Sequence, residues 1–274
     1  RIIEEGSDSK ADLYITADAG RLGAFESNLQ GGLNTSIIKS AVSSNFRTSK
    51  WVGIAKRARI IYFAPERVTG AELSGLTYES LADPKWKGRL VIRASNNIYN
   101  QSLVASLIIN HGEKKAEKII KNIVENFAKK PSGNDRAQIT AVAKNECDVA
   151  IVNHYYYIMM LNSKDEEKRK IAKQVDINFL NQNDRGAHVN ISAIGIAKYS
   201  KSVANAHKLI IFLLSKESQE WYAKVNNEYP VNENASTTDL LDSWGKIKLD
   251  DSVINKLGDL NTNAVKLMDR VGWQ

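Results

Sequence analysis

Short apolar runs alternate along the chain with stretches of helical period. Residues 11–16 and 90–93 are brief aliphatic and β-branched runs of buried-strand length. Residues 51–63 set Arg57 and Arg59 among apolar neighbours in alternation, as on a strand with one wet face. That pattern allows solvent-facing arginines or arginines lining a cleft. A further strand is expected over 147–152, ending at Asn153. Helical spacing recurs at Leu22, Phe25 and Leu29, over 103–109, and over 113–127 through Ala116, Ile119, Ile120, Ile123, Val124 and Phe127. It returns at 138–142, 158–161 and 204–214, and terminal helices are expected around Leu240, Leu241, Trp244, Ile247 and 264–268. Gly6 and the pair Gly31 and Gly32 close helices, while Pro84 and Gly88 mark a turn. Strands alternating with helices, with two crossings near 57–62 and 190–195, predict an α/β protein of two lobes around a cleft.

The expected strand at 147–152 runs into a cluster that local structure does not require: Asn153, His154, Tyr155, Tyr156 and Tyr157. Each buried phenol needs a hydrogen-bond partner, and the end of a buried strand is where open α/β sheets place ligands. Adjacent tyrosines are more often packing or surface residues. The alternative is that two neighbouring phenolates bind a hard, highly charged cation. A phenol ordinarily ionises near pH ~10, so it needs a strong positive charge beside it to do so at neutral pH. Anionic oxygen ligands suit a hard trivalent ion.

Composition narrows the classes. A hydrophobic share of 43% and a charged share of 25% are ordinary for a globular chain of 274 residues. The longest apolar run, 209–214, is far below the ~20 residues needed to span a bilayer. One cysteine, Cys147, excludes an internal disulfide and a multi-cysteine zinc site, and its apolar setting marks it as a small buried filler. The net charge of +7 attracts anions, yet the lysines are interleaved with acids, as over 162–170, which is the pattern of a solvated surface and not of a nucleic-acid site. No Walker loop, Gly-x-Ser-x-Gly or His-Glu-x-x-His is present, so enzymatic chemistry has no foothold.

The segment Asn153-His154-Tyr155-Tyr156 resembles the tyrosine-pair signature of bacterial periplasmic ferric-ion-binding proteins, the receptors of iron(III) ABC importers. Residues 78–90, 185–196 and the turn Tyr229-Pro230-Val231-Asn232 extend the resemblance over nearly the whole chain. It implies a two-lobe periplasmic-binding-protein-like fold of type II with a hinged cleft. The N-terminal lobe would comprise 1–57 and 194–232, and the C-terminal lobe 58–193 and 233–274. It also implies that about 45 residues, including a strand that contributes ligands, precede Arg1, and that the opening residues 1–6 finish a helix.

Within that resemblance Tyr155 and Tyr156 are metal ligands. Tyr99, at the start of Tyr99-Asn100-Gln101-Ser102-Leu103, is a third in the tyrosine-rich branch. His154 and Tyr157 fall outside the ligand pattern. Ala17 occupies a position where some relatives carry a glutamate ligand, and Asp18 is read as a helix N-cap. Asp135 is read as a cap too, with orientation of a tyrosine as the other role. Arg185 and His188 either line the cleft or bond within the hinge. The expected cargo is Fe(III), with water or a synergistic anion such as carbonate, held by Arg93 or Arg185, completing the shell. The expected partner is an inner-membrane ABC permease, and the protein is expected to be a monomer, periplasmic or tethered at the outer face of the cytoplasmic membrane, binding no nucleic acid and catalysing no reaction. Two rivals stay open: a receptor of the same fold for an organic cation or phosphorylated solute, with the aromatics as a cation box, and an enzyme using iron at the same phenolates. The second lacks a visible His/carboxylate triad.

Overall fold

The computed structural model describes residues 1–274 as two compact units. The first comprises Arg1–Arg57, Asn190–Ser243 and Asp251–Asp259; the second comprises Ala58–Val189, Trp244–Asp250 and Leu260–Gln274. Residues 233–243 and 251–259 therefore cluster with the first unit. Seven strands are formed: β1 (Leu13–Ala17), β2 (Trp51–Phe63), β3 (Leu90–Val91), β4 (Val149–Asn153), β5 (Asp176–Asn178), β6 (Ala187–Ile196) and β7 (Leu249–Asp250). The chain passes from one unit to the other within β2 and within β6.

In the first unit β1 pairs antiparallel with the end of β6, from Leu13 opposite Ile196 to Ala17 opposite Ser192. Leu22, Leu33, Ile38, Val52 and Ile194 are fully enclosed in its core. Asp18 caps the helix Ala19–Phe25 as expected, its carboxylate accepting from the backbone of Gly20 at 2.7 Å and from Asn190 Nδ2 at 2.7 Å. It does so at φ 102, a region L-residues seldom adopt, and the two buried hydrogen bonds hold it there. Gly23 and Gly258 let two backbones touch: a Cβ on Gly23 would lie 2.6 Å from Gly258 Cα.

In the second unit the end of β2 pairs antiparallel with β4, Arg59 opposite Asn153 and Phe63 opposite Val149, and β3 joins β4 in parallel. Helices Ile98–His111, Glu113–Glu125, Asp135–Ala143, Tyr155–Leu161 and Asn261–Arg270 belong to this unit. Asn97 caps the first, and Gly112, at φ 77, separates it from the next. Cys147 is buried in the core with Ile60, Val152 and Val142, so the filler reading holds. The wet face expected on β2 does not exist. Arg57 and Arg59 are buried because each has a carboxylate to neutralise it: Glu228 lies 3.3 Å from Arg57, and Asp135 lies 3.1 Å from Arg59. No helix is long and apolar enough to cross a membrane.

Candidate metal centre

Strand β4 is buried at all five positions and delivers Asn153 to its end, where the chain turns into the short helix Tyr155–Leu161. A residue the sequence did not flag fastens that turn. Tyr62, fully buried on β2, donates to the carbonyls of Asn153 at 2.9 Å and His154 at 3.0 Å. Its oxygen also accepts from the Tyr157 backbone N–H at 2.9 Å. His154 is spent on the fold: its Nδ1 accepts from the Ala58 backbone at 3.1 Å, and its ring is buried. Tyr157 packs edge-on against Tyr62, 6.0 Å between centroids, and lies 6.5 Å from Trp244.

Tyr155 and Tyr156 are left half-buried beside each other, ring centroids 4.4 Å apart and planes at 37°. Asn153 Nδ2 donates to the Tyr155 oxygen at 3.5 Å. Tyr99 enters from the first turn of Ile98–His111, close enough that its charge would act on both members of the pair. Burial pushes the Tyr155 phenol well above its ordinary value, and charge on Tyr99 or Tyr156 would push it further. Tyr156 is likewise raised, by burial first and then by the Asp135 carboxylate. The Tyr155 and Tyr156 phenols are thus kept neutral without a cation, and a cation beside them would make them strongly basic oxygen ligands. No three His, Cys, Asp or Glu side chains are grouped to hold a metal ion.

A buried ionic network lies against them. Asp135 is fully enclosed and accepts from Arg59 Nη1 at 3.1 Å and Arg93 Nη1 at 2.5 Å. It is not the helix cap expected from sequence. Asn134 takes that role, accepting from the Ala137 backbone at 3.1 Å, which frees Asp135 to compensate two guanidinium groups. Arg59 also reaches Asn153 at 3.2 Å and Asn100, and its Cζ lies 6.0 Å from the Tyr99 ring. Arg136 covers the Tyr156 ring at 5.2 Å. Of the two arginines proposed to hold an anion, Arg185 is engaged by Glu79 and Asp250, whereas Arg93 keeps a buried Nε without a partner. His188 is buried; desolvation, reinforced by Arg59 and Arg185, holds its imidazole down at about 3, so it is neutral at physiological pH.

Two lobes of mixed α/β structure and a cluster of ligand-type side chains define a solute receptor. Residues 14–249 match the family model for bacterial extracellular solute-binding proteins. Iron uptake protein A1 of Synechocystis sp. is 42% identical over 277 residues, spanning all of this chain and 76% of that protein. The FutA (IdiA) protein of Trichodesmium, solved in complex with iron and citrate, superposes with a TM-score of 0.96 at 43% identity, over all of this chain and 87% of that one. Apo FutA2 from Synechocystis gives a TM-score of 0.96 at 38% identity, over all of this chain and 88% of that one. The chain belongs to the family of bacterial extracellular solute-binding proteins.

Proposed function

We propose that this protein captures Fe(III) outside the cytoplasm and delivers it to an ABC permease of the inner membrane, with the phenolates of Tyr99, Tyr155 and Tyr156 as ligands. The observation that carries the reading is the adjacent, half-buried phenols of Tyr155 and Tyr156, with Tyr99 within electrostatic reach of both. Three phenolates neutralise a trivalent ion, so the complex can be shielded from water at low electrostatic cost. The similarity to Trichodesmium FutA, solved with iron and citrate, and to iron uptake protein A1 of Synechocystis supports iron as the cargo. A synergistic anion such as carbonate completes the shell against Arg93, whose guanidinium is partly exposed and anchored by Asp135. The protein acts as a monomeric carrier in the periplasm or at the membrane's outer face, with no chemical turnover.

The organic-cation box loses ground because the ring faces are already taken. Arg136 lies over the Tyr156 ring and Arg59 over the Tyr99 ring, so those ring faces already carry the protein's own cations and are not open as a box. Ferric affinity of Tyr155→Phe and Tyr156→Phe, measured by competition with a chelator, tests the reading. Phe keeps the ring and removes the oxygen, so ligation requires near-complete loss of binding. A mild effect in both variants would refute phenolate ligation and return the organic solute as the cargo.

A further inference from the structure

The guanidinium of Arg59 touches a side chain from each of three segments that carry or flank the phenols. Its Nη1 donates to Asn153 Oδ1 at 3.2 Å and to Asp135 Oδ1 at 3.1 Å, and its Nη2 donates to Asn100 Oδ1. All four side chains are at most 2% exposed. A guanidinium can only donate. Each asparagine must therefore turn its carbonyl oxygen to Arg59 and its NH₂ away. For Asn100 that sends Nδ2 to the carbonyls of Arg93 at 2.8 Å and Ala94 at 3.2 Å, fixing the loop that precedes Tyr99. For Asn153 it sends Nδ2 to the Tyr155 oxygen. Without the guanidinium, the Asn153 amide is free to flip and present an oxygen where a donor now stands, whereas Asn100 loses its tie to Arg59 but keeps its two backbone carbonyls.

We propose that Arg59 is a positioning residue for iron binding: it locks the Asn153 amide so that its N–H groups face the Tyr155 phenolate, and it ties the Tyr99 loop to the same point through Asn100. The inference rests on the ferric reading above. A donor on a phenolate oxygen stabilises the anion, and hydrogen bonds to charged groups are stronger than neutral ones. The planar fork is required. A lysine would retain the positive charge opposite Asp135 but cannot hold two asparagine oxygens and a carboxylate in fixed directions.

Four proteins are compared: wild type, Arg59→Lys, Asn153→Leu and the double variant. Each is loaded with a chelated ferric salt and read by its phenolate-to-iron absorption band and by chelator competition. Loss of a donor raises the energy of the phenolate electrons, so the band should move to longer wavelength in Asn153→Leu and in Arg59→Lys. Affinity should fall about ten- to a hundredfold in Asn153→Leu, the range for a hydrogen bond to a charged group. The double variant should lose less than the sum of the two single variants, because Arg59 acts in part through that amide and in part through Asn100; Arg59 and Asn153 are in contact, so the cycle reports their coupling. Unshifted bands in both single variants, or additive losses in the double, would overturn the proposal. If Arg59→Lys does not fold, the band position of Asn153→Leu decides alone. Absence of a band in wild type refutes ferric binding itself, a distinct result from a wild-type band that the variants leave unchanged.

Discussion

Iron loading should release protons, and the number released should count the phenols. A phenol ordinarily ionises near pH ~10, so stripping one at about pH 7 costs about 4 kcal/mol, and three cost about 12 kcal/mol. Burial raises this cost for Tyr155 and Tyr156, since both are shifted upward from the ordinary value. The metal must supply all of it, and each unit of pH returns a tenfold factor per phenol. The logarithm of the apparent affinity should therefore rise with a slope of about three between about pH 6 and 8. Tyr155→Phe should lose nearly all of the affinity, and whatever binding remains should follow a slope no greater than about two. Competition against a chelator of known protonation gives the slope once the chelator's own protons and ferric hydrolysis are subtracted. A wild-type slope below one, or a slope unchanged in Tyr155→Phe, would refute ligation by neutral phenols that ionise on binding.

Other outcomes follow from buried groups. His188 titrates at about 3 when folded, against an ordinary 6.5, so below pH 6.5 the unfolded chain takes up a proton that the folded chain refuses. Stability should then fall by about 1.4 kcal/mol per pH unit as pH drops from 6.5 toward 3, and denaturant unfolding of His188→Gln should show a shallower decline. An unchanged decline would assign the acid sensitivity elsewhere. Gly23→Ala should destabilise the protein by about 1–3 kcal/mol, because its Cβ would meet the Gly258 backbone and neither chain can yield cheaply; a wild-type melting temperature would contradict that close approach. The Cys147 thiol, pushed up to about 12 chiefly by burial, should resist alkylation in the folded protein and react only on unfolding, as mass spectrometry under native and denaturing conditions would report.

The tyrosine pair was legible because its signal is local: an apolar strand stops at Asn153 and polar aromatics follow without a turn residue. Helix starts were legible to within a few residues for the same reason, and Asp18 is a cap in the fold as in the sequence. The ionic network was not. Asp135 and Arg59 are 76 residues apart, and nothing near Asp135 shows in the sequence that its neighbour Asn134 is the cap instead. Arg57 and Arg59 look like solvent-facing residues until their carboxylates arrive from distant segments. Tyr62 reads as one more apolar strand residue, because its hydroxyl finds partners only when β4 pairs beside it. Side chains that act through tertiary partners leave no periodic trace, whereas strand ends and caps do.

The measurement that tests the central claim most directly is the visible absorption spectrum of the protein before and after addition of a chelated ferric salt. The account predicts a phenolate-to-Fe(III) charge-transfer band in wild type that is lost in Tyr155→Phe. A spectrum with no such band in wild type, or a band that survives unchanged in the variant, would contradict it.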